Sequence, residues 1–332
     1  MNGQSFRQNY VKGALWMVST ALFFLPLSSR AQEADCSVTE PTPRFSFKAL
    51  KNKPTSSRHK LSIIKKQVQS AYPAQVLAVR GDVVLLERNG KALTYAQPLL
   101  VGQSLYLNDV IETRTQSFMS LRLRDGTENA LPANAQVKLL QSSPSVAKLF
   151  LIKGGVESRV KKAPNAKKNT FEIQMPTVSI GVRGTYFRVN VAPEGGRVEV
   201  ENGTVRVAQR QVCTTPVIVN AGQGVHVDDQ SISSPVTLLA APTIDQPEAA
   251  QRKESAIVLH INPVEGARSY RAQIASDERF IDIQAEAQSD APVVTFNGYD
   301  FVDGFYYVRV SAVDATGIQG KTRSYPLLRN VE

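Results

Sequence analysis

From about residue 75 onward the chain is filled with short runs of alternating apolar and polar residues, separated by turn dipeptides. A period of two puts successive side chains on opposite faces of a strand, so each run predicts a half-buried β-strand. Val76–Arg80 and Asp82–Arg88 flank Gly81. Asn89-Gly90 comes next; this pair suits a tight hairpin, whose two central positions both need positive φ. Ser117–Arg124 alternates as far as Asp125-Gly126, and Lys148–Lys153 meets Gly154-Gly155 before Val156–Val160. Val198-Glu199-Val200-Glu201 predicts a hairpin at Asn202-Gly203 into Thr204–Val207, with the valines inward and the glutamates in solvent. Residues 75–230 are therefore expected to form one antiparallel β domain.

Residues 231–250 hold Ser, Pro, Ala and Gln without periodicity and read as a linker. A second β module is expected over 251–332, with strands at Ala256–Ile261, Arg268–Ala275, Val293–Phe296 and Phe305–Val313. Its size and pattern are those of a small antiparallel sandwich. On the other side, residues 32–74 are rich in Pro, Ser, Thr and Lys and read as a basic, mobile arm. Within it, Leu61, Ile64 and Val68 recur at helical spacing and predict a short helix over Lys60–Ser70. The fold class is all-β.

Residues 1–31 break this pattern. Arg7 and Lys12 precede an apolar run from Ala14 to Leu25, Pro26 ends it, and Ser29-Arg30-Ala31 offers small residues for cleavage. Together these predict a secretory signal peptide cut after Ala31 and a periplasmic or exported mature chain, with an uncleaved anchor as the alternative. No other run reaches membrane length.

Across the 332 residues, 42% are hydrophobic and 20% charged, which suffices for packed cores and excludes a disordered polyelectrolyte. The positive charge is uneven. Residues 32–75 carry eight basic and three acidic side chains, whereas 242–332 carry nine basic and 13 acidic. Export disfavours nucleic acid as the partner of the basic clusters, leaving weak contact with anionic envelope polymer or phospholipid headgroups, or simple solvation. Cys36 and Cys213 are the only cysteines. In an oxidising compartment they either form a disulfide or stand as two separate thiols.

Catalytic constellations are missing. The three histidines, His59, His226 and His260, lie far apart in sequence. No Gly-x-Ser-x-Gly, His-Glu-x-x-His or phosphate loop occurs. Asp228-Asp229 and Asp277-Glu278 lack the ligand spacing of a calcium loop and read as turn residues. The expectation is no enzyme, no cofactor and no metal.

One stretch carries more. Met175-Pro176-Thr177-Val178-Ser179-Ile180-Gly181-Val182-Arg183-Gly184-Thr185-Tyr186-Phe187-Arg188-Val189 resembles the signature of the FecR family, named for the iron-dicitrate sensor. Val198-x-Val200-x-x-Gly203-x-Val205-x-Val207 and Asn220-Ala221-Gly222-Gln223-Gly224-Val225 match the pieces that follow. Upstream, Gly102, Asp109, Ile111, Thr113 and Arg124-Asp125-Gly126-Thr127 match its first half. The C-terminal module resembles fibronectin type III-like repeats through Pro263–Arg271, Ala275–Phe280 and Gly304–Asp314, with Ile261 where such repeats place a core Trp. Such layouts often add a LysM peptidoglycan-binding motif, and none is visible.

The motif residues Val182, Arg183, Gly184, Thr185, Phe187, Gly203 and Gly222 are expected to be structural. Arg183 is expected to be dry, to pair with Asp125 or Glu199, and to unfold the domain when changed to Leu. The resemblance implies an exported binding, scaffold or sensing module of the cell envelope, its partner an envelope protein or glycan. The alternative is the outer part of a transmembrane pathway that regulates a sigma factor. Only about 12 residues precede the apolar run, too few for a folded cytoplasmic domain.

Overall fold

The structure, a computed structural model, describes residues 72–161, 171–211, 214–245, 251–253 and 256–329. The expected signal peptide, most of the basic arm with its expected helix, and both cysteines, whether bridged or separate thiols, lie outside these residues.

Among the described residues, the 17 strands up to residue 237 belong to one hydrogen-bonded system, arranged as two sheets. The first sheet runs, in spatial order, Ser104–Leu105, Ala74–Arg80, Phe118–Leu123, Glu128–Leu131, the second half of Ala147–Arg159, Tyr186–Ala192, Gly195–Asn202, Gln223–Val227 and Val236–Thr237. The second runs Lys91–Pro98, Val83–Arg88, Val110–Thr113, Gln136–Ser142, the first half of Ala147–Arg159, Phe171–Gln174, Val178–Val182, Thr204–Gln209 and Val217–Asn220. The chain thus winds back and forth between two faces and advances almost monotonically along both. The inward residues of both sheets merge into a single core, from Val76 and Leu85 through Leu149 and Ile180 to Val198 and Val225.

This winding changes the reading of several turns. Asn89-Gly90 closes a tight hairpin, with Arg88 opposite Lys91. Gly154-Gly155 does not end a strand. Ala147–Arg159 is continuous, and its partners change there from Gln136–Ser142 in one sheet to Tyr186–Ala192 in the other. Gly154 has φ +72, and a Cβ on it would lie 2.5 Å from the carbonyl oxygen of Asn134. Only glycine allows that bend against the neighbouring backbone. Because this strand carries the chain across, Phe171–Gln174 can return to the second sheet parallel to Ala147–Phe150. This parallel pair departs from a purely antiparallel domain.

Asn202-Gly203 is likewise a corner and not a hairpin. Gly195–Asn202 pairs within the first sheet, and Thr204–Gln209 pairs within the second. Gly203, at φ +87, packs where a Cβ would sit 2.7 Å from Thr185 Oγ1.

The stretch 231–250, expected as a linker, is packed over its described part. Val236–Thr237 adds to the first sheet, Leu238 is buried, and Ile244 bridges to Ile261. No periodicity signals this, because each anchor meets a different neighbour. Beyond it lie a three-stranded sheet, Gln251–Lys253, Ala256–His260 and Val293–Asn297, and a four-stranded one. The latter runs Ile283–Ser289, Ala267–Ala275, Gly304–Asp314, Gln319–Arg329. Ile257, Leu259, Ile274, Val294, Phe296, Val308 and Val310 fill the space between, with Ile261 in the same core. Tyr306 Oη donates to the carbonyl of Val302 at 3.0 Å, a short return bond at the start of its strand.

Candidate functional site

The motif residues build one end of the sandwich. Val182 and Phe187 are fully buried, and the Phe187 ring lies 6.3 Å from that of Phe171. Gly184 and Gly203 make adjoining turns, and Thr185 Oγ1 ties them by donating to the carbonyls of Arg183 and Thr204, each at 3.2 Å. Gly222 sits at the next corner, against Lys321. The signature brings these turns together as a scaffold.

Arg183 departs from expectation: it is exposed, and neither Asp125 nor Glu199 bonds it. The motif puts Arg183 in the turn after the strand Val178–Val182, where its side chain leaves the sandwich. Arg183→Leu is now expected to change stability by less than about 0.5 kcal/mol, as for an exposed position without special contacts. Thermal melts of the variant check this.

The buried arginine of the signature is Arg188, at 3% exposure. Phe187 and Val189 point into the core, so Arg188 points out of the sandwich, where the C-terminal module covers it. The register places Arg188 opposite Glu157 on one side and opposite Glu199 on the other. All three are buried. The glutamate face of the 198–201 alternation is therefore covered protein surface and not the solvent face the sequence predicts.

The covering residues come from the four-stranded sheet. Arg309 Nη2 donates to Glu157 Oε2 at 2.5 Å, and Arg271 Nη1 to Glu157 Oε1 at 3.2 Å. Arg309 also reaches Tyr186 Oη and Gln273, and Arg279 pairs with Glu128. Arg188 Nη1 donates to Glu201 Oε1 at 2.7 Å. Its Nη2 donates to the carbonyls of Gln319 (3.0 Å) and Gly320 (2.8 Å). Glu199 accepts from the Gln319 N–H at 3.2 Å, and Glu201 from the Thr322 N–H at 2.9 Å.

These carboxylates titrate in opposite senses. Burial raises the Glu157 carboxyl, but Arg309, Arg271 and Arg188 outweigh it and hold it at about 2. Burial raises Glu199, and Arg188 offsets only part of that rise. A lowered folded-state value means that Glu157 stabilises the fold fully above its ordinary value near 4.5 and loses that contribution as pH falls towards 2. Wild-type protein should therefore lose more stability over this acid window than Glu157→Gln. Denaturant titrations of both proteins at several pH values measure the difference.

The remaining candidates are structural. Asp277 accepts from the backbone N–H groups of Arg279, Ile281 and Asp282, and Asp228 from those of Gln230 and Ser231. Asp109, fully buried, accepts from Asn89 and Tyr106 N–H and pairs with Arg88. His260 is exposed, and His226 Nε2 is buried without a partner. Among the described residues no group of His, Cys, Asp or Glu could hold a metal ion. A cleft of about 440 Å³ lies among Met175, Pro176, Glu194 and Asp228, and one of about 290 Å³ beside Arg188, Arg197 and Glu286. No described helix is long and apolar enough to cross a membrane.

Sequence reasoning missed Glu157, Arg188, Arg271 and Arg309. The usable signal is a charged residue between two buried residues of a strand, as in Phe187-Arg188-Val189 and Val156-Glu157-Ser158. It marks an outward position but not what covers it.

Two crystal structures of a candidate anti-sigma factor from Parabacteroides distasonis, at 1.65 and 2.50 Å resolution, are similar to the chain at 17% identity and a TM-score of 0.33. Each match covers 39% of this chain, and the chain spans 59% of the length of that one. No curated protein matches the chain. The family described as FecR protein matches residues 109–206, which include the motif from Val182 to Phe187 and Gly203. Strands of the sandwich extend past both ends of that stretch. With the signature forming its turn scaffold, residues 109–206 are the part of the chain that carries the FecR match.

Proposed function

We propose that the chain is an exported, non-enzymatic FecR-domain protein that acts as a binding or sensing module in the cell envelope. The observation that carries this reading is the FecR domain itself, whose motif residues make turns and core and whose charged residues pair with one another. A regulatory role is what such a domain supports. The N-terminal sequence supports export and a periplasmic location, with the basic arm in weak contact with anionic surfaces. The C-terminal module reads as fibronectin type III-like. Its two sheets of three and four strands, their order and the Tyr306 return bond support that reading. Such modules present loops and edges to partners.

The second reading is the outer part of a sigma-factor pathway of the iron-dicitrate sensor type. The family match favours it. Capture experiments with the full mature chain on envelope extract separate the readings. Recovery of a defined envelope protein or glycan supports the first reading. An uncleaved, membrane-bound chain on fractionation supports the second. Turnover of purified peptidoglycan by the chain would overturn both.

A further inference from the structure

Where the sandwich meets the C-terminal module, a cleft of about 290 Å³ stays open, and the polar groups around it are incompletely paired. Arg188 spends its two terminal nitrogens on Glu201 and on the carbonyls of Gln319 and Gly320. Its Nε is buried without a partner. Glu199, also buried, accepts one hydrogen bond, from the Gln319 N–H. The two residues stand opposite each other in register, yet among the described residues no hydrogen bond joins them. Asn190 Oδ1 accepts from Arg197 Nη2 at 3.2 Å, which leaves the Asn190 Nδ2 donors unused among the described residues. Buried polar groups are nearly always satisfied in folded proteins, so several unused ones around one space mark a place for a group that completes them.

The register sorts these groups by sign. In Gly195–Asn202 the valines point inward, so Arg197 and Glu199 share the outward face, roughly 7 Å apart along the strand. Asn190 lies beside Arg197 on the next strand, with Gly155 beyond it. Gly155 has no side chain, which keeps the floor of the cleft open at this end. Arg197 meets Glu194 only at 3.8 Å, and that carboxylate is 71% exposed; such a pair is worth little in water. At the other end Glu199 faces a cleft that Glu286 also lines. Glu286 spends one oxygen on Arg271 and Gln273 and keeps the other. One end of the cleft therefore offers cationic and amide donors, and the other offers carboxylates.

We propose that this cleft binds a small free α-amino acid, its carboxylate on Arg197 and Asn190 and its ammonium on Glu199 beside Glu286. An α-amino acid carries both charged groups on one carbon, which suits two opposite charges two residues apart on one strand face. The volume is at the lower end for ligand pockets and fits a molecule of this size. A neutral polyol would fill the space but would not neutralise either end. Burial raises the Glu199 carboxyl and Arg188 offsets only part of that rise, so a bound cation supplies what is lacking. The proposal rests on the reading of the chain as a binding or sensing module and names a ligand class for it.

The test titrates the purified mature chain with glycine, L-alanine and D-alanine, followed by calorimetry and by amide chemical shifts. Ethylamine, which lacks the carboxylate, and propionate, which lacks the ammonium, serve as reference probes. At least one amino acid is expected to bind, with shifts at residues 197–199 and 317–319. Each reference probe should bind roughly tenfold or more weakly, the scale of one charge-assisted hydrogen bond. Arg197→Gln should weaken the amino acid by a similar factor and leave ethylamine binding unchanged, a split that a general loss of structure would not produce. If Arg197→Gln fails to fold, Asn190→Asp, whose new carboxylate competes for Arg197, should weaken the amino acid instead. The proposal is overturned if none of the three amino acids binds, if the reference probes bind as well as they do, or if the folded variant binds like wild type. The assay uses no envelope extract. Its failure leaves capture of an envelope partner standing, and failed capture leaves this site standing.

Discussion

Arg188→Met is expected to cost about 3–5 kcal/mol, the scale on which removing one member of a buried ion pair strands the other. The variant keeps the stem and loses the guanidinium. Glu201 then loses its 2.7 Å bond, and the carbonyls of Gln319 and Gly320 lose their donor. Glu199, already raised by burial, loses the charge that opposes that rise. For a unit of this size the melting temperature should fall on the order of 10 °C. Adding Glu199→Gln to Arg188→Met should recover part of the loss, because a neutral amide needs no counter-charge. A loss under about 1 kcal/mol would contradict the assignment of Arg188 as the dry arginine of the signature.

Phe187→Ala should be comparably severe, at about 3–5 kcal/mol, by removing a large side chain from a core that cannot fully collapse. Phe187 has no exposed surface and packs on Phe171, which lies across the sandwich in the second sheet. Phe187→Leu keeps much of the volume and should cost less than about 1.5 kcal/mol. Denaturant unfolding of both variants separates cavity from chemistry. Equal losses for Leu and Ala would mean that the position is not the packed core contact described here.

Strand alternation was a sound guide to inward positions. Val198 and Val200, Val205 and Val207, and Val182 and Phe187 all lie in the core. Those assignments need only the two-residue period and the tendency of apolar side chains to leave water. Turn dipeptides were less informative. Asn89-Gly90 closes a hairpin, but Asn202-Gly203 and Gly154-Gly155 are places where the chain changes sheets. A glycine reports that the backbone must bend or pass close to a neighbour, and it is silent on which strand lies beyond.

Arg183 and Arg188 show the same limit for charge. Both stand in the signature between residues of low polarity. One falls in a turn and reaches solvent, and the other falls mid-strand and is sealed. The difference depends on where the strand ends, to within a residue or two.

By itself the sequence determined the all-β class, the inward valines and the family motif, because these follow from local periodicity and from residue types at fixed spacing. Only the tertiary structure decided that the outward face bearing Glu157, Arg188 and Glu199 is covered. The groups bonded to it, on Arg271, Arg309 and the backbone at 319–320, lie 114 or more residues from their partners along the chain. A two-residue period tells a strand's two faces apart but does not say whether the outer one meets water or another sheet.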